Sequence, residues 1–310
     1  MRIVIPGGSG LIGQALAQDL ARDGHQVVVL TRSPENADRG LSSVRYEHWD
    51  GQTSQGWIEQ IEGADAVVNL AGESIGGENT FQILFQRWTS AKKQRILESR
   101  RHAGQAIVEA ITAVGRRPSV LVQPVGSGYY GTHTEGEQDE SSPPGDDFLA
   151  DTVRATEDST AHVETLGVRR VIFRSGIVLS AKGGTLPMML LPFRLFAGGP
   201  LGHGRQRIPW IHLKDMVAAI RFAIDRREVS GVYNLAAPGA ETYAEMGRAI
   251  GRQLHRPYWF PMPAFALRLL LGEKAILILE GQRLSPRKLM DLGFRYSFPD
   301  IKSALADLLS

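Results

Sequence analysis

Apolar residues in the first half of the chain fall into two alternating rhythms. Short, nearly unbroken apolar runs at 2–6, 26–30, 66–70, 120–124 and 170–173 predict strands buried on both faces. Between them, 11–23 sets Leu11, Ile12, Ala15, Leu16 and Leu20 on one helical face and stops at Gly24. A longer helix is predicted over 91–114. Strands alternating with helices predict an α/β fold, a doubly wound parallel sheet. The second half changes character. Pro/Gly-rich stretches occupy 182–187 and 197–209, a strand at 232–235 returns to the sheet, and the tail from Thr242 reads as helical, then irregular. The pattern predicts an α/β domain over 1–175, with 213–240 returning to it. Residues 176–212 and 241–310 form a smaller C-terminal module.

Composition narrows the classes. The chain has 310 residues and a net charge of +2, too little to point to nucleic acid or a membrane as partner. It has no cysteine, which excludes disulfides, thiolate nucleophiles and Cys-ligated metals. The eight histidines are dispersed, with no helical His-x-x-x-His pair, so no metal site is expected. Met1 runs straight into a strand with no signal-peptide pattern, and the most apolar stretch, 264–279, is broken by Arg268, Glu273 and Lys274. A cytoplasmic protein without a membrane span is expected.

The clearest chemistry lies at the first strand–helix junction, where Gly7, Gly10 and Gly13 have the spacing of a Rossmann dinucleotide fingerprint. One glycine makes the turn, one admits the pyrophosphate, and one lets helix and strand pack closely. The helix start at Leu11, Ile12 and Gly13 offers unpaired N–H groups to phosphate. After the second strand, an NAD site usually carries an acid for the ribose hydroxyls. This chain has Thr31-Arg32-Ser33 instead, with a guanidinium and hydroxyls suited to a 2′-phosphate, so NADP(H) is the expected cofactor. The strand at 66–70 ends in Asn69-Leu70-Ala71-Gly72, whose small residues allow a cofactor close to the backbone.

With these features, the chain resembles the extended, epimerase-like branch of the short-chain dehydrogenase/reductase superfamily. Tyr129-Tyr130-Gly131 and the run from Pro209 to Asp215 carry the resemblance further. More narrowly it is similar to an atypical "epimerase family protein" group. That likeness rests on Arg174 to Leu179, Leu191 to Arg194, Leu271 to Ala275, Gly281-Gln282-Arg283 with Pro286, and Gly293-Phe294 with Phe298-Pro299. The resemblance covers the whole chain. It implies NADP(H) contacts at Thr31-Arg32, Leu70-Ala71 and Val178, and at Arg95 and Arg100 on the long helix. Arg95 is not the usual residue type at its position.

Typical members of the superfamily use a Tyr with a Lys four residues later, plus a Ser. Here Tyr129 is followed at that spacing by His133 and Tyr130 by Thr134. Where the pair should fall, the two registers give Phe148/Thr152 and Leu149/Val153. Tyr129 and Tyr130, following a strand end, are the substitute proton carriers, with packing as their alternative role. Arg194, Trp210 and His212 are candidate substrate contacts. Arg194 belongs to a basic Gly-rich segment that either clamps an anion or forms a surface loop, and His212 is alternatively a structural histidine. Asp215 is read as a helix cap, and the carboxylates between Glu135 and Asp147 as solvated loop residues.

Two functions follow. One is an NADP(H)-dependent oxidoreductase or epimerase on a small polar molecule, nucleotide sugars included. The alternative is a non-catalytic NADP(H)-binding sensor or scaffold. The cleft motifs point to the first and the missing Tyr/Lys pair to the second. The long helix and the C-terminal module each offer a face for a homodimer.

Overall fold

Ile3, Val4 and Ile5 are all fully buried in β1 (Arg2–Pro6). Successive side chains leave a strand on opposite faces, so this one strand feeds two cores. The computed structural model describes residues 1–36, 43–77 and 87–310. After β1 come α1 (Leu11–Arg22), β2 (Gln26–Thr31), β3 (Val44–His48), α2 (Ile58–Ile61), β4 (Ala66–Val68), α3 (Ser90–Ala113) and β5 (Val120–Gly126). Next are β6 (His133–Gln138), α4 (Phe148–Asp158), β7 (Arg169–Ser175), β8 (Ile177–Leu179), α5 (Thr185–Arg194), β9 (Trp210–His212), α6 (Leu213–Asp225) and β10 (Gly231–Leu235). The C-terminal part adds α7 (Tyr243–Leu254), α8 (Ala264–Leu271), α9 (Ile276–Leu279), β11 (Gly281–Leu284), α10 (Arg287–Asp291) and α11 (Ile301–Leu308).

Seven strands form one parallel sheet in the order β3-β2-β1-β4-β5-β7-β10. The chain winds from β1 out to β3, crosses back to β4 and winds the other way. That reversal opens a crevice outside the carboxyl ends of β1 and β4, the place where open α/β sheets bind ligands. Ile3 and Ile5 pack with Leu16 and Leu20 of α1 and Met216 and Ile220 of α6 on one face. Val4 and Val28 pack with Ile107 and Ile111 of α3 on the other. A third core joins Phe193, Trp210, Ile250 and Leu305. The tail is not separate from the sheet, because Leu289 and Phe294 enter the first core.

The α/β architecture is the one expected from the periodicity, and β10 does return to the sheet. Five short strands, β3, β6, β8, β9 and β11, are not in the expectation. β3 is an edge strand with alternating charge, which carries no apolar run to detect. β6 occupies part of the acidic stretch read as loop and pairs in parallel with β11. β8 and β9 pair with each other outside the main sheet. β6, β8, β9 and β11 owe their pairing to partners far along the chain, which local pattern does not encode. Among the described residues no helix is long and apolar enough to cross a membrane, and no cluster of His, Asp and Glu could hold a metal ion.

Candidate functional site

β1 ends at Pro6 and the chain turns through Gly7 at φ +75°. A Cβ on Gly7 would lie 2.7 Å from backbone atoms of Leu70 and Ala71 beyond β4. The glycine therefore permits both the turn and the approach of the two strand ends. A Cβ on Gly13 would lie 2.4 Å from Gly8 Cα, so α1 packs onto the glycine loop itself rather than onto the strand as expected. Gly10 is different. A Cβ there would meet only Gly7 O, at 3.7 Å, so no protein atom demands a glycine and the space stands open. α1 begins there without a side-chain cap. The first-turn amides of Leu11, Ile12 and Gly13 are then available to an anion. An open cradle at an uncapped helix start fits a dinucleotide pyrophosphate.

Thr31 ends β2 and is buried. Its hydroxyl donates to Ser9 Oγ at 2.9 Å and accepts from the Ser33 N–H at 3.4 Å. It braces the glycine loop from beneath. Arg32 is exposed, and its guanidinium meets no carboxylate among the described residues.

On the other side of the crevice, Asn69 Oδ1 accepts from the Ala71 N–H at 3.1 Å, and Leu70 N–H donates to Pro6 O at 2.9 Å. Arg100 of α3 presses on Gly72, where a Cβ would lie 3.0 Å from its Cγ. Burial draws the Arg100 guanidinium down to about 10, against the pull of Glu73. Glu73 pairs with buried Lys92 and, at 3.6 Å, with the more exposed Arg95. Lys274 reaches the same loop from the C-terminal module, donating to Gly76 O at 2.8 Å. Sequence reasoning missed Glu73 and Lys92. The i, i+3, i+7 spacing of Lys92, Arg95 and Ser99, all of which face Glu73, was the available signal.

Tyr129 and Tyr130 close a 3₁₀ turn after β5. The two have different surroundings. Tyr130 is buried, donates to Asn234 Oδ1 at 2.7 Å and accepts from Arg174 Nη1 at 3.3 Å. Burial pushes its phenol pKa up, and Arg174 only partly offsets that. Its hydroxyl is engaged by both Asn234 and Arg174, so Tyr130 ties the turn to β10. Tyr129 is half-buried, lies under the Arg174 guanidinium (3.1 Å to the ring centroid), and has no hydroxyl partner among the described residues. Arg174 makes a fork to Glu157 at 2.8 and 2.9 Å.

Asp147 caps α4, accepting from the Leu149 and Ala150 N–H groups at 3.0 and 2.9 Å. Glu140 accepts from the Asn234 N–H at 2.6 Å. Both carboxylates do structural work and are not simply solvated. On α4, the Phe148 ring packs edge-on to Trp88, and the Thr152 hydroxyl donates to Phe148 O at 2.8 Å. Leu149 and Val153 are buried. None of the four can move a proton at a substrate.

Val178 of β8 pairs with Ile211, and the following loop lies over Leu11, whose Cδ2 is 3.2 Å from where a Gly184 Cβ would be. This brings the β8 end to the start of α1. Arg194 is exposed at the end of α5. Trp210 is fully buried in the third core and donates Nε1 to Glu241 Oε2 at 2.6 Å. His212 is also buried. It, and not Asp215, caps α6, its Nδ1 accepting from the Lys214 N–H at 3.0 Å. Asp215 instead accepts from the Ser297 and Phe298 N–H groups at 2.8 and 3.0 Å, pinning the C-terminal segment to α6. The reason for both corrections is burial, which turns polar side chains toward backbone partners.

Burial lowers the His212 pKa below its ordinary 6.5, although Asp307, 3.3 Å from Nε2, and Asp215 oppose this. The unfolded chain therefore takes up the proton first as pH falls, and stability drops as pH goes below 6.5. We expect the melting temperature to fall on acidification from about pH 7.5 to 5.5, and His212→Asn, which keeps a capping oxygen, to flatten that slope. Identical slopes for the two proteins would refute the assignment.

A model of the NAD dependent epimerase/dehydratase family matches residues 3–236, and a domain of unknown function, DUF1731, matches residues 262–308. Epimerase family protein YfhF of Bacillus subtilis is 37% identical over 313 residues, spanning 100% of this chain and 98% of the relative. The crystal structure of human epimerase family protein SDR39U1 (isoform 2) with NADPH superposes with a TM-score of 0.85 at 34% identity, covering 99% of each chain. A nucleoside-diphosphate sugar epimerase from Corynebacterium glutamicum superposes with a TM-score of 0.77 at 28% identity, covering 100% of this chain and 58% of that one.

Proposed function

Because this chain belongs to the NAD-dependent epimerase/dehydratase family, we propose that it is an NADP(H)-dependent oxidoreductase or epimerase of a small polar substrate, with nucleotide sugars the class to test first. The observation that carries the cofactor choice is Arg32, exposed and without a carboxylate partner among the described residues, at the end of a β2 that offers no acid to the ribose. The NADPH bound to the human relative supports the same reading.

In this reading Gly10 and the first turn of α1 receive the pyrophosphate, and Arg32 neutralises the 2′-phosphate. Leu70, Ala71 and Gly72 line the opposite wall with Arg100, while Glu73 holds Lys92 and Arg95 in place beside it. Val178 closes the site from β8. Residues 1–175 with 213–240 carry the cofactor, and the C-terminal module supplies the substrate side, with Arg194 its exposed cation. When bound, the nicotinamide supplies or accepts hydride. Tyr129 is the residue with a hydroxyl left to give or take a proton at the substrate.

Arg32→Ala should weaken NADPH binding by about 10- to 100-fold, the loss expected of one charge-assisted phosphate contact, and leave NADH binding nearly unchanged. Titration of both nucleotides by fluorescence reads this directly, and equal losses would rule out the 2′-phosphate contact. For catalysis, NADPH absorbance is followed against a panel of carbonyl compounds and nucleotide sugars. Tyr129→Phe should lower kcat by about 100-fold or more with little change in NADPH affinity. Full turnover in that variant would overturn the proton-transfer role. Tight NADPH binding with no turnover across the panel would overturn the enzyme reading in favour of a sensor.

A further inference from the structure

α8 is apolar on both sides. Leu267 and Leu271 face inward, 3% and 7% exposed, while Phe265 and Leu269, four residues apart, point outward at 73% and 74%. A surface helix ordinarily turns polar residues outward. The apolar surface continues along the preceding segment. Trp259 and Phe260 are exposed, and their N–H groups both donate to Gly198 O, at 2.8 and 3.1 Å. Trp259 Nε1 donates to Phe196 O at 2.9 Å. Phe196 presents its exposed ring from a backbone at φ +59°, a conformation unfavourable for a bulky residue and held only by its surroundings. Hydrogen bonds thus fix these rings in an outward position.

The rim is basic. From Met246 to Gly272 the sequence has no Asp or Glu but four arginines, at 248, 252, 256 and 268. Among the described residues Arg252, Arg256 and Arg268 form no ion pair, and the Arg256 guanidinium lies 4.4 Å over the Phe196 ring. The two properties together select an occupant. A second copy of the same face would set arginines against arginines. An anionic bilayer offers apolar depth for the rings and phosphates for the guanidinium groups.

We propose that this face docks on the surface of an anionic lipid bilayer, with Phe265, Leu269 and Trp259 entering the boundary between headgroups and acyl chains. The eight residues of α8 are too few to span, so the helix lies in the plane of the interface. This proposal is independent of the catalytic reading.

The test is co-sedimentation of the full chain with vesicles of phosphatidylcholine carrying about one-third phosphatidylglycerol, against phosphatidylcholine alone. Binding should be at least about tenfold weaker to the neutral vesicles, and should fall with added salt. The double variant Phe265→Ser/Leu269→Ser and the charge reversal Arg252→Glu/Arg268→Glu should each lose at least about tenfold in binding to the anionic vesicles, with NADPH affinity unchanged. No binding to anionic vesicles, equal binding to both compositions, or unchanged binding in both variants would overturn the proposal. A concentration-dependent dimer in sedimentation equilibrium that the Phe265→Ser/Leu269→Ser variant dissolves would assign the face to a second copy instead.

Discussion

Gly7→Ala should weaken NADPH binding by at least about 100-fold, equivalent to about 2.7 kcal/mol. Two costs coincide at this position. The backbone sits at φ +75°, and the new methyl would lie 2.7 Å from the backbone of Leu70 and Ala71. Neither strand end can yield without moving the other wall of the crevice, so the loss falls on the site as well as on stability. Gly24→Ala provides the control. Gly24 has φ +78° but nothing within 4 Å of the added methyl. It should lose only the conformational term, about 1–2 kcal/mol of stability, and bind NADPH normally once folded. Fluorescence titration and thermal melts of both variants separate the two costs. Equal binding losses would show that close approach of β1 and β4 is not what shapes the site.

Removing one partner of the Glu157–Arg174 pair should have the largest effect on stability. Both side chains are enclosed, and their two hydrogen bonds are 2.8 and 2.9 Å long. Burial by itself would make the Arg174 guanidinium less basic, but the hydrogen bonds with Glu157 and Tyr130 outweigh it and raise its pKa above the ordinary range. Glu157→Ala leaves that cation buried and unpaired, a cost of about 3–5 kcal/mol. In a chain of this size the melting temperature should drop by about 5–8 °C. The double substitution Glu157→Leu/Arg174→Met should recover much of this, because an apolar pair leaves no uncompensated charge. A double variant as unstable as the single one would mean that Arg174 acts chiefly through Tyr129 and Tyr130. Tyr130→Phe should cost about 1 kcal/mol, the worth of one buried hydrogen bond, which sets it apart from Tyr129→Phe.

The split between the two tyrosines defines what could be read before the structure. Adjacent residues in one motif have the same sequence context, yet one hydroxyl is tied to Asn234 and the other is not. Asn234 is 104 positions away, and no local pattern reports it. The same holds for Trp210 and His212. The motif marked them as polar groups near a cleft, but Glu241 engages Trp210 and Asp307 engages His212 from elements far along the chain.

What the sequence alone determined was whatever depends on local geometry. The parallel α/β sheet follows from apolar period and strand length. The dinucleotide loop follows from glycine spacing, because backbone shape there is set within a few residues. The absence of an acid after β2 is likewise a local fact, and it turned the expectation toward NADP(H). The tertiary structure alone decided which polar groups remain free. It spent Thr31 on Ser9, Asp215 on the 297–298 backbone, and Tyr130 on Asn234 and Arg174. Among the described residues it left Arg32 and the Tyr129 hydroxyl without partners, and it left Phe265 and Leu269 on the outer face of α8 exposed. The physical reason is that a buried polar group must find a partner wherever the fold brings one, and those partners come from distant parts of the chain.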